Sequence, residues 1–143
     1  MPLLKWDTQK DAMHSVRVLC DELKLNWEQK AIICSCIWQE SNFLNYRKPG
    51  VPMQGFNKDP KTGKVLSTDW GICQVNDYWN IGPKKVWPSK EFVVQNPEKM
   101  VRWMIQCYKQ GRLNLWSSYK FGAYKQWMPY FMVRDKWLQL LKK

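Results

Sequence analysis

Apolar residues recur with helical spacing over much of the chain. Ala12, Val16, Leu19, Cys20 and Leu23 form one stripe behind Asp7 or Thr8 as a cap, which predicts a first helix to about Leu23. The run Ala31 to Glu40 predicts a second, and Asn26 with Gln29 stands before it at capping-box spacing, Asn replacing the usual Ser or Thr. Inside that run Ile33, Cys36, Ile37 and Glu40 fall at i, i+3, i+4 and i+7, so a carboxyl is expected on the same face as the apolar side chains. Asn96-Pro97-Glu98 opens a third helix that Gly111 stops, with cap, first-turn proline and terminal glycine in order. Pro129 opens a last helix to Leu141, its buried side formed by Phe131, Val133, Trp137, Leu138 and Leu141.

The segment Tyr46 to Leu66 breaks this period. Pro49-Gly50 and Asp59-Pro60-Lys61-Thr62-Gly63 are turn signals flanking short candidate strands, which predicts a hairpin. The expected fold is α+β, a mainly helical domain with a small β-hairpin lobe and a cleft between the two. No internal repeat, low-complexity tract or long linker divides the chain, so residues 1–143 are read as a single domain.

At 143 residues the chain can bury a proper core without staples. It has no apolar run of 18 residues, so no membrane span is expected, and Met1 to Lys10 lacks the hydrophobic region of a signal peptide. Its five cysteines, Cys20, Cys34, Cys36, Cys73 and Cys107, are odd in number and sit mostly on apolar helical faces, which favours reduced thiols. A zinc site is the alternative, but Cys34-x-Cys36 lacks the usual ligand spacing and His14, the one histidine, has no partner motif. No metal or organic cofactor is expected, and a single histidine also weakens any Ser-His-Asp or Cys-His mechanism.

Charge is uneven along the chain. Residues 1–83 carry 10 Lys/Arg against 9 Asp/Glu, whereas residues 84–143 carry 13 against 3. The positive field of the C-terminal part attracts polyanions, among which the phosphate and carboxylate polymers of bacterial walls qualify as well as nucleic acids. Basic charge with 10 Trp and 6 Tyr also fits a single-strand nucleic-acid binder that stacks bases on aromatics. No nucleic-acid motif of recognised spacing supports that, and solvated lysines on helix faces are the commoner explanation.

Two carboxylates stand in contrasting settings. Glu40 shares an apolar helical face, where lost solvation of the anion raises a pKa and lets the group keep its proton near neutrality. Asp69 follows 29 residues later, beside the hydroxyls of Ser67 and Thr68 and the amide of Asn76, donors that favour an ionised carboxylate. One acid and one anion is the division of labour that glycoside cleavage needs. The plainer reading is a helix-terminal Glu facing solvent and an Asp that caps a turn.

Glu40-Ser41-Asn42-Phe43 followed by Ser67-Thr68-Asp69-Trp70-Gly71-Ile72-Cys73-Gln74-Val75-Asn76 resembles the active-site segments of the lysozyme superfamily, most closely the chicken-type lysozymes. Gly111-Arg112-Leu113-Asn114-Leu115-Trp116 is similar to the lysozyme segment whose Trp packs against the catalytic Glu. The likeness covers residues 31–44, 67–79 and 111–119. The cysteines do not occupy the chicken-type positions, and Tyr46 to Leu66 is longer than the family's hairpin, making a longer lip to the cleft.

The resemblance implies a glycosidase that cuts the β-1,4 bond between N-acetylmuramic acid and N-acetylglucosamine, with Glu40 as acid and Asp69 stabilising or trapping the cationic centre. It implies Trp116 as the apolar wall at Glu40, Gln74 and Asn76 as amides for acetamido groups, and Trp79 as a sugar-stacking ring. Against the last stands a core role for Trp79 and Trp87 under the hairpin. Lytic transglycosylases share Glu-Ser-x-Phe and the Gly-hydrophobic-x-Gln segment, and Tyr119-Lys120-Phe121-Gly122 faintly resembles their Ala-Tyr-Asn-Ala-Gly segment in Tyr and Gly alone, which would bring Tyr119 to Glu40 unless it is a core Tyr. The implied partners are peptidoglycan strands and, through the basic C-terminal part, anionic wall polymers. The implied site of action is the bacterial cell wall, reached as a phage lysin, a virion component or a domain of an exported protein. A catalytically silent wall-binding or nucleic-acid-binding module is the alternative of a different class.

Overall fold

In the computed structural model, which describes residues 3–142 apart from the side chain of Lys142, Thr8 Oγ1 accepts the Asp11 N–H at 3.0 Å and opens α1 (Gln9–Glu22). The expected stripe from Ala12 to Cys20 is its buried side, with Met13 and Ser15 added, while Leu23 is the half-buried C-cap just past the helix. Asn26 and Gln29 form a full capping box, each side chain accepting the other's backbone N–H at 2.9 Å, and open α2 (Trp27–Ser41). Every residue from Ile33 to Trp38 is buried. A helix covered on all sides is a central one, not an amphipathic surface helix. Its neighbours are α1, α6 (Ser117–Lys120), the 3-10 turn Ala123–Trp127 and α7 (Met128–Met132).

Helix α2 stops just after Glu40 and Ser41. Asn42 at φ 53° and Phe43 at φ 60° are both left-handed, and the Asn42 N–H closes on the Trp38 carbonyl at 2.9 Å. Such backbone is costly for a bulky residue. The Phe43 ring, 1% exposed and packed between Trp38 and Phe131, offsets that cost by its burial.

Tyr46 to Leu66 is two hairpins rather than one. Strands β1 (Tyr46–Lys48) and β2 (Val51–Pro52) turn at Pro49-Gly50, with Gly50 at φ 77°. Strands β3 (Gln54–Lys58) and β4 (Val65–Trp70) turn at Asp59–Lys64, and β5 (Val75–Asn76) completes an antiparallel sheet of order β3-β4-β5. Met53 is the break. Its N–H donates to the Asn45 carbonyl and its carbonyl accepts the Gly71 N–H, at 3.0 and 2.9 Å, so it belongs to neither strand.

Two short helices lie between sheet and third long helix. Asn76 Oδ1 caps α3 (Asp77–Asn80) through the Trp79 N–H at 3.1 Å, and Ser89 Oγ caps α4 (Lys90–Gln95) through the Phe92 N–H at 3.1 Å. Both are too short for periodicity to reveal. Helix α5 (Pro97–Lys109) runs as expected to Gly111 at φ 73°, although the Asn96 side chain donates back to the Phe92 carbonyl instead of capping it. After the 3-10 turn Leu113–Leu115 and α6, the C-terminal part departs from expectation. Helix α7 ends at Met132, Val133 is extended and exposed, Asp135 is left-handed, and Lys136–Lys142 is 3-10. Trp27 Nε1 donates to the Met132 carbonyl at 2.6 Å, holding the chain where it turns away, and Trp137 then packs under the Arg17 guanidinium at 5.2 Å. Of the expected buried side only Phe131 is fully covered; Trp137, Leu138 and Leu141 are half-buried, and Leu140 is buried instead.

The architecture is therefore mainly helical α+β with two small antiparallel sheets. All five cysteines are unpaired and buried, and burial pushes their thiols up, which suits packing and not nucleophilic attack. Among the described residues no helix is long and apolar enough to cross a membrane, and no cluster of His, Cys, Asp or Glu is placed to hold a metal ion.

Candidate active site

The turn Gly71–Gln74 fastens β4 to the end of α2. Ser41 Oγ donates to the Ile72 carbonyl at 2.6 Å, while Asn45 Oδ1 accepts the Ile72 N–H at 3.0 Å and Asn45 Nδ2 donates to the Val94 carbonyl at 2.7 Å. Trp116 Nε1 donates to the Cys73 carbonyl at 2.6 Å. Ser41, Asn45 and Trp116 are all buried, so these bonds replace water that the turn cannot reach. They bring the strand carrying Asp69 up to the helix carrying Glu40.

Glu40 and Asp69 line one cavity of about 370 Å³. Trp103 and Trp116, their ring centres 5.2 Å apart and their planes 61° to each other, form its apolar wall with Val75 and Leu115. Glu40 is half-buried, and its pKa is raised to about 7, first by burial and then by the negative charge of Asp69. Neither cause is a hydrogen bond. Because the charge on Asp69 helps hold the proton on Glu40, Asp69 ionises first and Glu40 second.

The alternation of β4 sets what surrounds Asp69. Ser67 and Asp69 face the cavity, while Thr68 and Trp70 face the other side, where the Thr68 N–H and Trp70 Nε1 donate to the Asp77 carboxylate at 3.0 and 3.4 Å. The Thr68 hydroxyl expected beside Asp69 is therefore on the wrong face. The donors are amides: Asn76 Nδ2 to Oδ1 at 2.9 Å and Asn57 Nδ2 to Oδ2 at 3.2 Å, with Ser67 Oγ accepting from both asparagines at 3.0 and 3.1 Å. Burial nevertheless raises the Asp69 pKa above its ordinary value, with the two amides pulling it back down and Asp77 adding to the rise. The amides hold the carboxylate but do not by themselves keep it at the low end of its range.

Asn76 has no freedom to turn over. Its Oδ1 caps α3, so its NH2 must face Asp69 and Ser67, and both its protons are used there. Gln74, left-handed at φ 54°, likewise commits its NH2 to the carbonyls of Gly71 and Met53, at 2.8 and 3.4 Å. Its Oε1 lies over Gly55, the residue paired with Asp69 across the sheet, where an added Cβ would stand 2.5 Å away. Gln74 and Asn76, the amides expected for acetamido groups, both line the cavity, with their NH2 groups engaged inside the protein.

The aromatic residues separate clearly. Trp79 is 74% exposed and lines the cavity with its edge supported by Tyr78 at 4.8 Å, whereas Trp87 is buried. Tyr119 stacks on Tyr124 at 5.1 Å and is not among the residues lining either cavity at Glu40. Sequence reasoning missed Asn57 and Trp103. Asn57 reaches the site because β3–β4 register sets it opposite Ser67, a pairing invisible until the hairpin's register is known. Trp103 was readable as one more apolar position on α5. No family model, no curated protein and no solved structure matches the chain.

Proposed function

We propose that the protein is a glycosidase of lysozyme-like type that cuts the β-1,4 bond between N-acetylmuramic acid and N-acetylglucosamine in peptidoglycan. The observation that carries this reading is a carboxyl raised to about 7 beside a second carboxylate that accepts two amide bonds in the same cavity. Glu40 gives its proton to the leaving oxygen as the bond to the sugar carbon breaks. Asp69 stabilises or traps the positive centre that forms. Glu40, now anionic, takes a proton from water whose hydroxyl joins the sugar carbon, and this returns the acid to its starting form. Trp79 offers its exposed ring to an apolar sugar face.

Asp69 beside Glu40 supports hydrolysis over lytic transglycosylation, in which the muramic acid 6-hydroxyl attacks and no water is needed. The test is mass spectrometry of muropeptides released from purified walls. Reducing ends are expected; anhydro ends, lighter by one water, would move the protein to the transglycosylase branch, and no release at all would leave a binding module.

The basic C-terminal part supports a wall partner. Arg102 and Arg134 pair with acids, but Lys84, Lys90, Lys99, Lys120 and Lys125 are exposed. If their field steers the enzyme to anionic wall polymers, activity on whole walls falls with added salt while cleavage of a short neutral glycan barely changes. Equal salt sensitivity on both substrates would remove the steering role.

A further inference from the structure

The side of the β3-β4 pair turned away from Asp69 has a cavity of its own. It measures about 370 Å³, as large as the one at Glu40, and the two share no lining residue. Trp70 and Gln54, partners across β4 and β3, line it together with Tyr46 of β1 and with Lys90, Glu91 and Gln95 of α4. We propose that this cavity is a second carbohydrate site, one that holds a neutral chain of N-acetylated sugars and anchors the protein to glycan away from the cleavage cavity. The kind of sugar rests on the glycosidase reading; the presence of the site does not.

Its polar groups are uncommitted. Among the described residues the side chains of Gln54, Glu91 and Gln95 have no hydrogen-bond partner, and Lys90 forms no ion pair but holds its ammonium over the Trp70 ring at 5.0 Å. In the cavity at Glu40, by contrast, Gln74 and Asn76 give their NH2 groups to the protein. A sugar hydroxyl both donates and accepts, so it can use the amides in either sense, the Glu91 carboxylate as acceptor and the Lys90 ammonium as donor. Tyr46, 40% exposed, supplies an aromatic surface for the apolar face of a sugar ring.

Charge and shape narrow the ligand. Lys90 and Glu91 are the charged residues lining the cavity and they are opposite in sign, so it offers a polyanion no net attraction. Past Tyr46 and Gln95 the cavity continues into a space of about 500 Å³ lined by Trp6 between Lys5 and Asp7, again one charge of each sign. Two adjoining cavities, each with an aromatic residue and balanced charge, match a neutral chain of rings better than a single sugar or an acidic polymer.

The experiment titrates the Glu40→Gln protein, which should bind without cutting, with chitotetraose, a neutral oligomer of N-acetylglucosamine. Indole N–H signals in nuclear magnetic resonance spectra report the two sites separately, because Trp70 lines this cavity and Trp79 the one at Glu40. Both signals should move, and the Trp70 shift should persist in added salt. Tyr46→Ala and Glu91→Ala, both at exposed positions, should each weaken the binding seen at Trp70 about tenfold and leave that at Trp79 unchanged. A Trp70 signal that stays still while Trp79 moves, or a Trp70 response equal in wild-type and variant cavities, overturns the second site and leaves the glycosidase reading standing. A Trp70 response to free peptidoglycan stem peptide and none to chitotetraose also overturns it, making the cavity a peptide pocket. Silence of both signals overturns it as well, and muropeptide release then decides the glycosidase reading independently.

Discussion

Glu40→Gln is expected to lose a hundredfold or more in wall clearing and, in the same protein, to gain stability relative to wild type as the pH is raised. The amide has nearly the shape of the carboxyl but cannot deliver a proton, and a positioned general acid contributes roughly 10²–10⁴-fold. The gain follows from linkage. Glu40 binds its proton more tightly folded than unfolded, with a pKa of about 7 against an ordinary 4.5. Its contribution to stability is therefore fully present below about 4.5 and is lost progressively as pH rises to about 7, after which the folded protein carries a buried charge. The loss amounts to about 3 kcal/mol at most.

Glutamine has no such titration, so the melting temperature of the variant relative to wild type should climb between pH 4 and pH 8. The same proton sets the rate, and wild-type activity should fall as pH rises through about 7. Turbidity clearing, circular dichroism and melting curves at the two pH values check all three. A folded variant that still clears walls would remove Glu40 from the chemistry. A flat difference in melting temperature would mean that its carboxyl is hydrated. Asp69→Asn is expected to lose less, because the acid at Glu40 is untouched.

Gly71→Ala is expected to destabilise the protein by about 3–5 kcal/mol, the range reached when backbone strain and a broken buried network combine. Gly71 sits at φ 79°, and a Cβ there would lie 2.6 Å from Met100 Cε and 2.8 Å from Asn45 Oδ1. Moving Asn45 frees the Ile72 N–H and the Val94 carbonyl, and moving Met100 disturbs the sulfur that faces the Cys73 N–H at 3.3 Å. Each buried group left unpaired costs about 1–3 kcal/mol. Gly111→Ala is the control. Its φ is 73° but nothing lies within 4 Å of the added carbon, so only the backbone cost of about 1 kcal/mol should appear. Denaturant midpoints separate the cases, and equal shifts for both glycines would mean that the turn yields freely around Gly71.

What the amino-acid order by itself determined is the local structure: the caps at Thr8 and Asn26, the stop at Gly111, the turns at Pro49-Gly50 and Asp59–Gly63, and the apolar face that carries Glu40. These are decided by side chains within about one turn of the backbone they act on, so a linear reading reaches them. The nomination of Glu40 and Asp69 as a pair was legible as well, from the wording of their segments. Only the tertiary structure decided the rest. The register of β3 against β4 brought Asn57 to Asp69 and turned Thr68 away, and the cap on α3 aimed the amide of Asn76. Met53 split the hairpin in two, and the hold of Trp27 on Met132 accompanies the early end of α7. Above all, the pKa of Glu40 rises because distant parts of the chain meet around it and exclude water, and desolvation is a property of the packed surroundings that no short stretch of sequence contains.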